Sequence, residues 1–323
     1  MNKTKIIDVL SKLTKQYQLD TSLKFKTIAL NKAIYQLKQF NGEITSGKQA
    51  IADVNSIGKG LGERIDEIIK TGTLSELKTN KETSIQTNAM DELLSITGIG
   101  PTRAKQYIKD GITSVNKLRD AIKDDKIKIT HHIQVGIDYY EDLTHKIPRK
   151  EIDDMKKILN KEINKVDKEL VFEICGSYRR GLSKSGDIDL LISHQHHISN
   201  IDKQKYLPKL VANLKKCGFI IDSLTSDGAK KYMGICRIEK SPYARRIDIR
   251  CVDYSAYYTG LLYFTGSKNF NILVRKKALE NGYSLNEYSL TNKETDEKVI
   301  LQSEKELFDI LDMEYFKPTD RDL

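Results

Sequence analysis

From Leu23 to Phe40 apolar residues recur at helical spacing, with Lys24, Lys26, Lys32 and Lys38 between them, which predicts a helix. Residues 1–78 as a whole read as several short helices. Thr79 to Ala89 is polar and aperiodic and predicts a linker. A helix is expected from Pro148 to Val166, followed by mixed strands and helices to about residue 253. Within that stretch the apolar runs Val171–Cys175 and Ile188–Ile192 predict buried strands. Arg245 to Val252 instead alternates charged and apolar residues, as a strand with one wet face does. Further on, Thr265-Gly266-Ser267 interrupts the pattern ahead of a helix that carries Asn271 and Arg275 four apart, on one face.

Two segments resemble each other. Val54-Asn55-Ser56-Ile57-Gly58-Lys59-Gly60-Leu61-Gly62 and Ile96-Thr97-Gly98-Ile99-Gly100-Pro101-Thr102-Arg103 each form an apolar-Gly turn leading into a helix, with Lys or Arg just inside. Glycine lets a ligand approach the backbone closely, and the free amides of a helix start favour an anion. Pro101 suits a first helical turn. This is the pattern of a helix-hairpin-helix, which grips DNA phosphates without reading sequence.

The candidate chemistry lies in the strand region. Gly176-Ser177-Tyr178-Arg179-Arg180-Gly181 has the form of a phosphate-binding turn, and Gly186-Asp187-Ile188-Asp189 follows within a few residues. On a strand, Asp187 and Asp189 share one face. Adjacent carboxylates repel unless cations bridge them, and carboxylate oxygens suit Mg²⁺ held together with substrate phosphates. Asp248, on one face with Arg246 and Arg250, supplies a third carboxylate of the kind two-metal phosphoryl chemistry uses. The pattern therefore reads as a nucleotidyl-transfer site.

At 323 residues the chain is long enough for two or more domains. Its net charge of +9 and pI near 9.1 favour an acidic partner. The first 78 residues hold thirteen Lys and Arg against eight Asp and Glu. Cys175, Cys217, Cys236 and Cys251 have no zinc-like spacing and are expected as reduced thiols in an intracellular protein. Met1-Asn2-Lys3-Thr4-Lys5 opens a short amphipathic pattern unlike a signal peptide, and no apolar run approaches membrane-spanning length, so no membrane partner is expected. His194-Gln195-His196-His197 is expected to be a solvated loop.

Taken together, these segments resemble the family X DNA polymerases, closest in layout to the polymerase beta branch. The resemblance runs from the N-terminal helices to Arg321-Asp322. It includes Gly98-Ile99-Gly100-Pro101, Lys146-Ile147-Pro148-Arg149, Cys175 to Gly181, Gly186 to Leu190, Arg245 to Arg250, Leu262 to Ser267 and Asn286-Glu287-Tyr288. It implies a multidomain fold with an all-α lyase-like 5′-phosphate-binding domain (1–78) and a helix-hairpin-helix subdomain (88–145). An α+β nucleotidyltransferase palm (146–253) and an α+β nucleotide-selection subdomain (254–323) would follow.

The implied activity is template-directed filling of short DNA gaps in repair, by a monomer acting on gapped or nicked DNA with a 5′-phosphate and on dNTPs. Asp187 and Asp189 would hold two Mg²⁺ ions, with Mn²⁺ a substitute, and Asp248 the catalytic one. Na⁺ or K⁺ would sit at the hairpin turns. Lys146, Ser177, Arg180, Ser185 and Gly186 would meet the triphosphate, with Lys146 standing where the family has arginine. Tyr263 and Phe264 would meet the sugar, Asn271 the base, and Gly266 would also bind the nucleotide. Arg275, Arg246 and Tyr288 would meet DNA, as would Gly98, Gly100 and Arg103 of the second hairpin. Arg250, Glu287 and Tyr288 would form the set that rearranges on closure, and Lys268 replaces an acidic residue. Lys26, Lys59 and Arg64 would bind the 5′-phosphate. Arg64 occupies the Schiff-base lysine's position, so lyase activity is expected to be weak or absent. The alternatives are a template-independent terminal transferase, disfavoured by the short Asp222–Lys231 segment, and an inactive DNA-end-binding scaffold.

Overall fold

A computed structural model describes residues 2–18, 21–77 and 81–322, which divide by their contacts into units 1–129 and 130–323. The first unit is helical: α1 (Asn2–Gln18), α2 (Lys24–Gln39), α3 (Gly47–Asp53), α4 (Lys59–Thr71), α5 (Lys81–Ser95), α6 (Pro101–Lys109) and α7 (Val115–Lys123). Ile6, Leu10 and Leu13 of α1 lie one turn apart and pack with Leu30 and Leu37 of α2 and Ile65 and Ile68 of α4. The expectation of short helices fails for α1, which runs 17 residues, while α2 matches the helix expected over Leu23–Phe40. The predicted linker is also corrected. Thr79 and Asn80 lie outside the described residues, but α5 begins at Lys81. Ala89, Met90 and Leu93 are buried in its C-terminal half, whereas the sequence before them is polar and shows no helical period.

The second unit begins with α8 (His131–Asp138) and α9 (Tyr140–Thr144) and continues β1 (Ile147–Pro148), α10 (Arg149–Val166), β2 (Leu170–Ile174), α11 (Gly176–Arg179), β3 (Lys184–Ser185) and β4 (Ile188–His194). Next come α12 (Tyr206–Lys216), β5 (Ile220–Ser223), β6 (Lys231–Cys236) and β7 (Arg245–Cys251). It ends with α13 (Tyr257–Thr265), α14 (Lys268–Glu280), β8 (Tyr283–Leu285), β9 (Leu290–Asn292), β10 (Lys298–Val299) and α15 (Glu304–Ile310).

Its main sheet has the order β2-β4-β7-β6-β5, antiparallel except between β4 and β7. Alternation decides what each face does. Ile188, Leu190, Ile192, Ile247 and Ile249 turn toward α10 and α12 and form the largest core with Met155, Leu159, Leu207 and Leu210. On the opposite face Leu191 packs with Leu261 of α13, and Asp189 lies two residues before it. β2 is an edge strand with three half-buried residues, so the expectation of a buried strand at Val171–Cys175 fails in its middle. A second cluster gathers Phe270 and Val274 of α14, Leu307 and Phe308 of α15, and Leu285 and Leu290 of the β10-β9-β8 sheet.

Candidate active site and nucleic-acid interface

The parallel β4–β7 pairing puts Asp189 directly opposite Asp248, and Asp187 precedes Asp189 by one strand repeat on the same face. The Arg246 guanidinium hydrogen-bonds Asp187 and lies 3.6 Å from Asp248 Oδ1. That oxygen and Arg246 Nε are buried, and neither has a hydrogen-bond partner. Burial, then Asp187 and Asp248, push the Asp189 carboxyl up to about 7. Burial also raises Asp248, against the pull of Arg246. Burial works against the charge on Arg246, but the three carboxylates more than offset it and raise its pKa. The cluster is thus a set of like charges crowded in low dielectric and only partly compensated, as a site for divalent cations would be.

The turn over these carboxylates depends on glycine. Gly176 has φ +57°, and a Cβ there would lie 2.4 Å from Asp189 Oδ2. Cys175 N donates to Asp189 O at 2.7 Å, which ties the start of α11 to β4. Ser177 is half-buried in α11, and Arg180 caps it. Arg180 donates to Thr265 O at 2.7 Å and to Asp322 Oδ1 at 2.9 Å. Antiparallel β1–β3 pairing brings Lys146 beside Gly186. Ser185 is only 2 % exposed, leaving Lys146 and Gly186 as the open members of that corner.

Gly266 ends α13, and the Ser267 hydroxyl caps α14 by accepting from Phe270 N. Asn271 Nδ2 donates to Tyr263 O at 2.7 Å, while its Oδ1 is buried without a partner. Tyr263 and Phe264 meet edge to face, Arg275 lies over Tyr263, and Arg250 lies over Phe264. Glu287 faces Arg275 at 3.6 Å, and Tyr288 is exposed. Among the described contacts Arg250 therefore groups with Phe264, and Glu287 groups with Arg275.

Sequence reasoning missed a buried set in this unit. Glu304, the first residue of α15, accepts from Arg179 Nη2 at 2.6 Å and from fully buried Arg321 at 2.7 Å. Arg179 also donates to Thr265 Oγ1 at 2.8 Å. Arg179 lies in the phosphate-binding turn and Arg321 closes the resemblance, but nothing in the pattern marks Glu304 or pairs the three, because an acidic residue at a helix start is ordinary on a surface.

In the first unit the two similar turns have matching geometry. Ile57 N bonds Val54 O and Ile99 N bonds Ile96 O, Ser56 and Gly98 have positive φ, and Gly58 and Gly100 are N-caps with φ −97° and −96°. A Cβ at Gly58 or Gly100 would meet nothing within 4 Å. Neither glycine is needed for packing within the chain, so both leave room for something outside it. Arg103 is exposed in the first turn of α6, beside a depression of about 660 Å³ that Lys128 also lines. Arg64 makes two hydrogen bonds to the Glu76 carboxylate, one from Nη2 to Oε2 at 3.0 Å, and Tyr17 donates to Glu76 at 2.7 Å. Lys26 lies 6.0 Å from the Tyr17 ring, and Lys59 is exposed at the start of α4.

Four family models tile nearly the whole chain: a helix-hairpin-helix domain (1–74), the fingers of DNA polymerase lambda (91–144), and the palm (146–254) and thumb (260–322) of DNA polymerase beta. The chain belongs to family X of the DNA polymerases. Its relatives include DNA polymerase lambda of Rattus norvegicus, 29 % identical with 98 % of this chain and 56 % of that protein aligned. DNA polymerase lambda of Arabidopsis thaliana is 28 % identical, covering 92 % of this chain and 58 % of that protein. DNA polymerase IV of Saccharomyces cerevisiae is 24 % identical over the full chain and 67 % of that protein. This family X chain thus spans little more than half the length of the two polymerase lambda relatives. The three positions expected to depart from the family pattern have different surroundings: Lys146 and Lys268 are exposed, whereas Arg64 is half-buried against Glu76.

Proposed function

We propose that the chain is a template-directed DNA polymerase that fills short gaps, adding a nucleotide from a dNTP to a primer 3′-hydroxyl. A bond forms between the primer O3′ and the α-phosphorus, the bond from that phosphorus to the bridging oxygen breaks, and pyrophosphate leaves. The observation that carries this reading is the facing pair Asp189 and Asp248, with Asp187 beside them and Asp248 Oδ1 buried and unpartnered.

That oxygen-only donor set fits Mg²⁺ or Mn²⁺, held by Asp187, Asp189 and Asp248. Bound there, divalent cations would lower the pKa of the attacking hydroxyl and neutralise the charge developing on the phosphates. Asp248 also helps deprotonate the primer 3′-hydroxyl. Ser177, Arg180, Lys146 and Gly186 hold the triphosphate. Lysine at 146 keeps the charge but lacks the bidentate fork of arginine. Tyr263 and Phe264 pack against the sugar, and Asn271 contacts the base edge. Arg246 contacts primer phosphate and Arg275 the template strand. The amides behind Gly98 and Gly100 grip DNA phosphates, with Na⁺ or K⁺ at the turn.

Lys26, Lys59 and Arg64 bind the 5′-phosphate, and removal of deoxyribose phosphate is weak or absent. A Schiff base needs a neutral amine, and the Arg64 guanidinium stays protonated, its pKa raised further by the hydrogen bonds to Glu76.

The test is a one-nucleotide gap-filling assay with Mg²⁺ on DNA carrying a 5′-deoxyribose phosphate, with and without borohydride. Template-directed insertion without a trapped adduct is expected. Tight binding of gapped DNA with no insertion at high enzyme would leave only an end-binding scaffold, and insertion regardless of template would favour a terminal transferase.

A further inference from the structure

Of the His194–His197 stretch expected as a solvated loop, Gln195 and His196 are exposed in a turn, but His194 is not. His194 closes β4 opposite Leu170 of β2 and is 4 % exposed, while His196 is exposed in the turn that follows. The cause is the ring of Tyr206, stacked on His194 with centroids 5.4 Å apart, whose hydroxyl also meets His197 Nε2 at 3.0 Å. Two carboxylates come in from the α10–β2 turn, Asp167 as the C-cap of α10 and Glu169 just before β2. His194 Nε2 lies 3.7 Å from Asp167 Oδ2 and 3.6 Å from Glu169 Oε2, and His196 Nε2 lies 3.5 Å from the same Glu169 oxygen.

These separations are long for N–H···O hydrogen bonds, whose usual range ends near about 3.2 Å. They are close to the edge of a metal tetrahedron, about 3.3–3.4 Å for ligand bonds of about 2.0–2.1 Å. Donor atoms of Asp167, Glu169 and His194 lie within 4.8 Å of one another, and His196 joins them through Glu169. The donors are two imidazoles and two carboxylates, a set that suits zinc-class ions better than Mg²⁺, and two carboxylates balance a dication. We propose that Asp167, Glu169, His194 and His196 form a structural site for Zn²⁺ or a similar transition-metal dication, separate from the Asp187–Asp189–Asp248 cluster. His194 is five residues from Asp189 along β4, about 16 Å at about 3.3 Å per residue. The site would clamp the α10–β2 turn to the β4–α12 turn at the far end of the sheet.

Binding has one local consequence. His194 Nδ1 now accepts from His196 N at 3.2 Å. Ligation through Nε2 leaves the ring proton on Nδ1, so that contact opens and the turn at His196 shifts, bringing its own imidazole inward.

The experiment titrates the full chain with Zn²⁺ calorimetrically, in wild type and in an Asp187→Asn/Asp189→Asn background that removes the other carboxylate cluster. One equivalent of Zn²⁺ should remain in the double variant, raising its unfolding temperature, with any further Zn²⁺ bound by wild type lost there. Co²⁺ in its place should give the visible d–d absorption of a tetrahedral site. Glu169→Gln and His196→Gln change exposed side chains, so both should fold normally without metal, as circular dichroism would verify. Each should weaken Zn²⁺ binding by about tenfold or more and abolish the Co²⁺ spectrum. Loss of zinc binding in the Asp187→Asn/Asp189→Asn background, or unchanged affinity in both single variants, overturns the proposal. No readout depends on nucleotide incorporation, so the result is independent of the polymerase reading.

Discussion

The carboxylate corner of the second unit and the Arg64 corner of the first both hold half-buried charge, but they handle it in opposite ways. Around Asp189 like charges are crowded together, Asp248 Oδ1 has no partner, and the Asp189 carboxyl is pushed up to about 7. Around Arg64 the charge is answered within the chain: Glu76 accepts its hydrogen bonds and that of Tyr17, and its carboxyl is held below the ordinary range, chiefly by Arg64. The first corner costs the fold stability and needs a ligand to relieve it. The second contributes stability and offers only what charge is left over. Unrelieved repulsion is therefore the better mark of a reacting centre, and a closed ion pair the better mark of a binding surface.

The largest effect should come from relieving the first corner by mutation. Asp189→Asn removes one of the crowded charges, so without divalent cations the variant should be more stable than wild type by roughly 1–3 kcal/mol in urea unfolding at neutral pH. Nucleotide insertion should fall by roughly 10³-fold or more, the scale of losing an electrostatic contact to the transition state. Stability and activity moving in opposite directions would confirm that the strain is functional. A less stable Asp189→Asn would show that the carboxylate is structural.

That corner was legible in the sequence because strand alternation is rigid. Asp187 and Asp189 must share a face, and Arg246, Asp248 and Arg250 must share another strand's wet face; only the register joining them awaited the structure. The duplicated hairpin turns were legible for a similar local reason, since a backbone at positive φ followed by a cap needs particular residues at fixed offsets. The Arg64–Glu76–Tyr17 cluster was half legible. Arg64 stands in a recognisable segment, but Tyr17 and Glu76 reach it from distant positions that carry no pattern of their own. The Arg179–Glu304–Arg321 set and the burial of His194 were not legible, because each depends on a tertiary partner: Glu304 needs two arginines from opposite ends of the second unit, and His194 needs the ring of Tyr206. Helix α5 was lost because the sequence of its first half is polar and shows no apolar period.

The second corner can be opened rather than relieved. Arg64→Lys supplies an amine, but the Glu76 carboxylate would keep it protonated, so borohydride trapping on 5′-deoxyribose phosphate DNA should give at most a faint adduct. Arg64→Lys combined with Glu76→Gln removes that counter-ion and should trap clearly more. Equal trapping by wild type and the double variant would mean that a different lysine does the chemistry, with Lys59→Ala the next comparison. Glu76→Ala alone should cost about 1 kcal/mol, the scale of a half-exposed, bidentate ion pair.

The smallest effect probes the cationic wall of the first corner. His132, on α8, has a buried Nε2 with no hydrogen-bond partner, and its pKa is lowered by burial first and then by Arg246, Lys231 and His131. A histidine whose folded pKa lies below its unfolded value binds fewer protons when folded. Its neutral form is present in both states above pH ~6.5, and stability is lost as pH falls from there through the folded pKa. His132→Gln lacks that titration, so its stability relative to wild type should rise on going from pH 7.5 to pH 5. The gain should stay under about 1 kcal/mol, because solvent screens a ring that is partly exposed. If the two proteins lose stability in parallel over that range, neither burial nor the neighbouring cations lower the His132 pKa, and the cationic wall does not extend to α8.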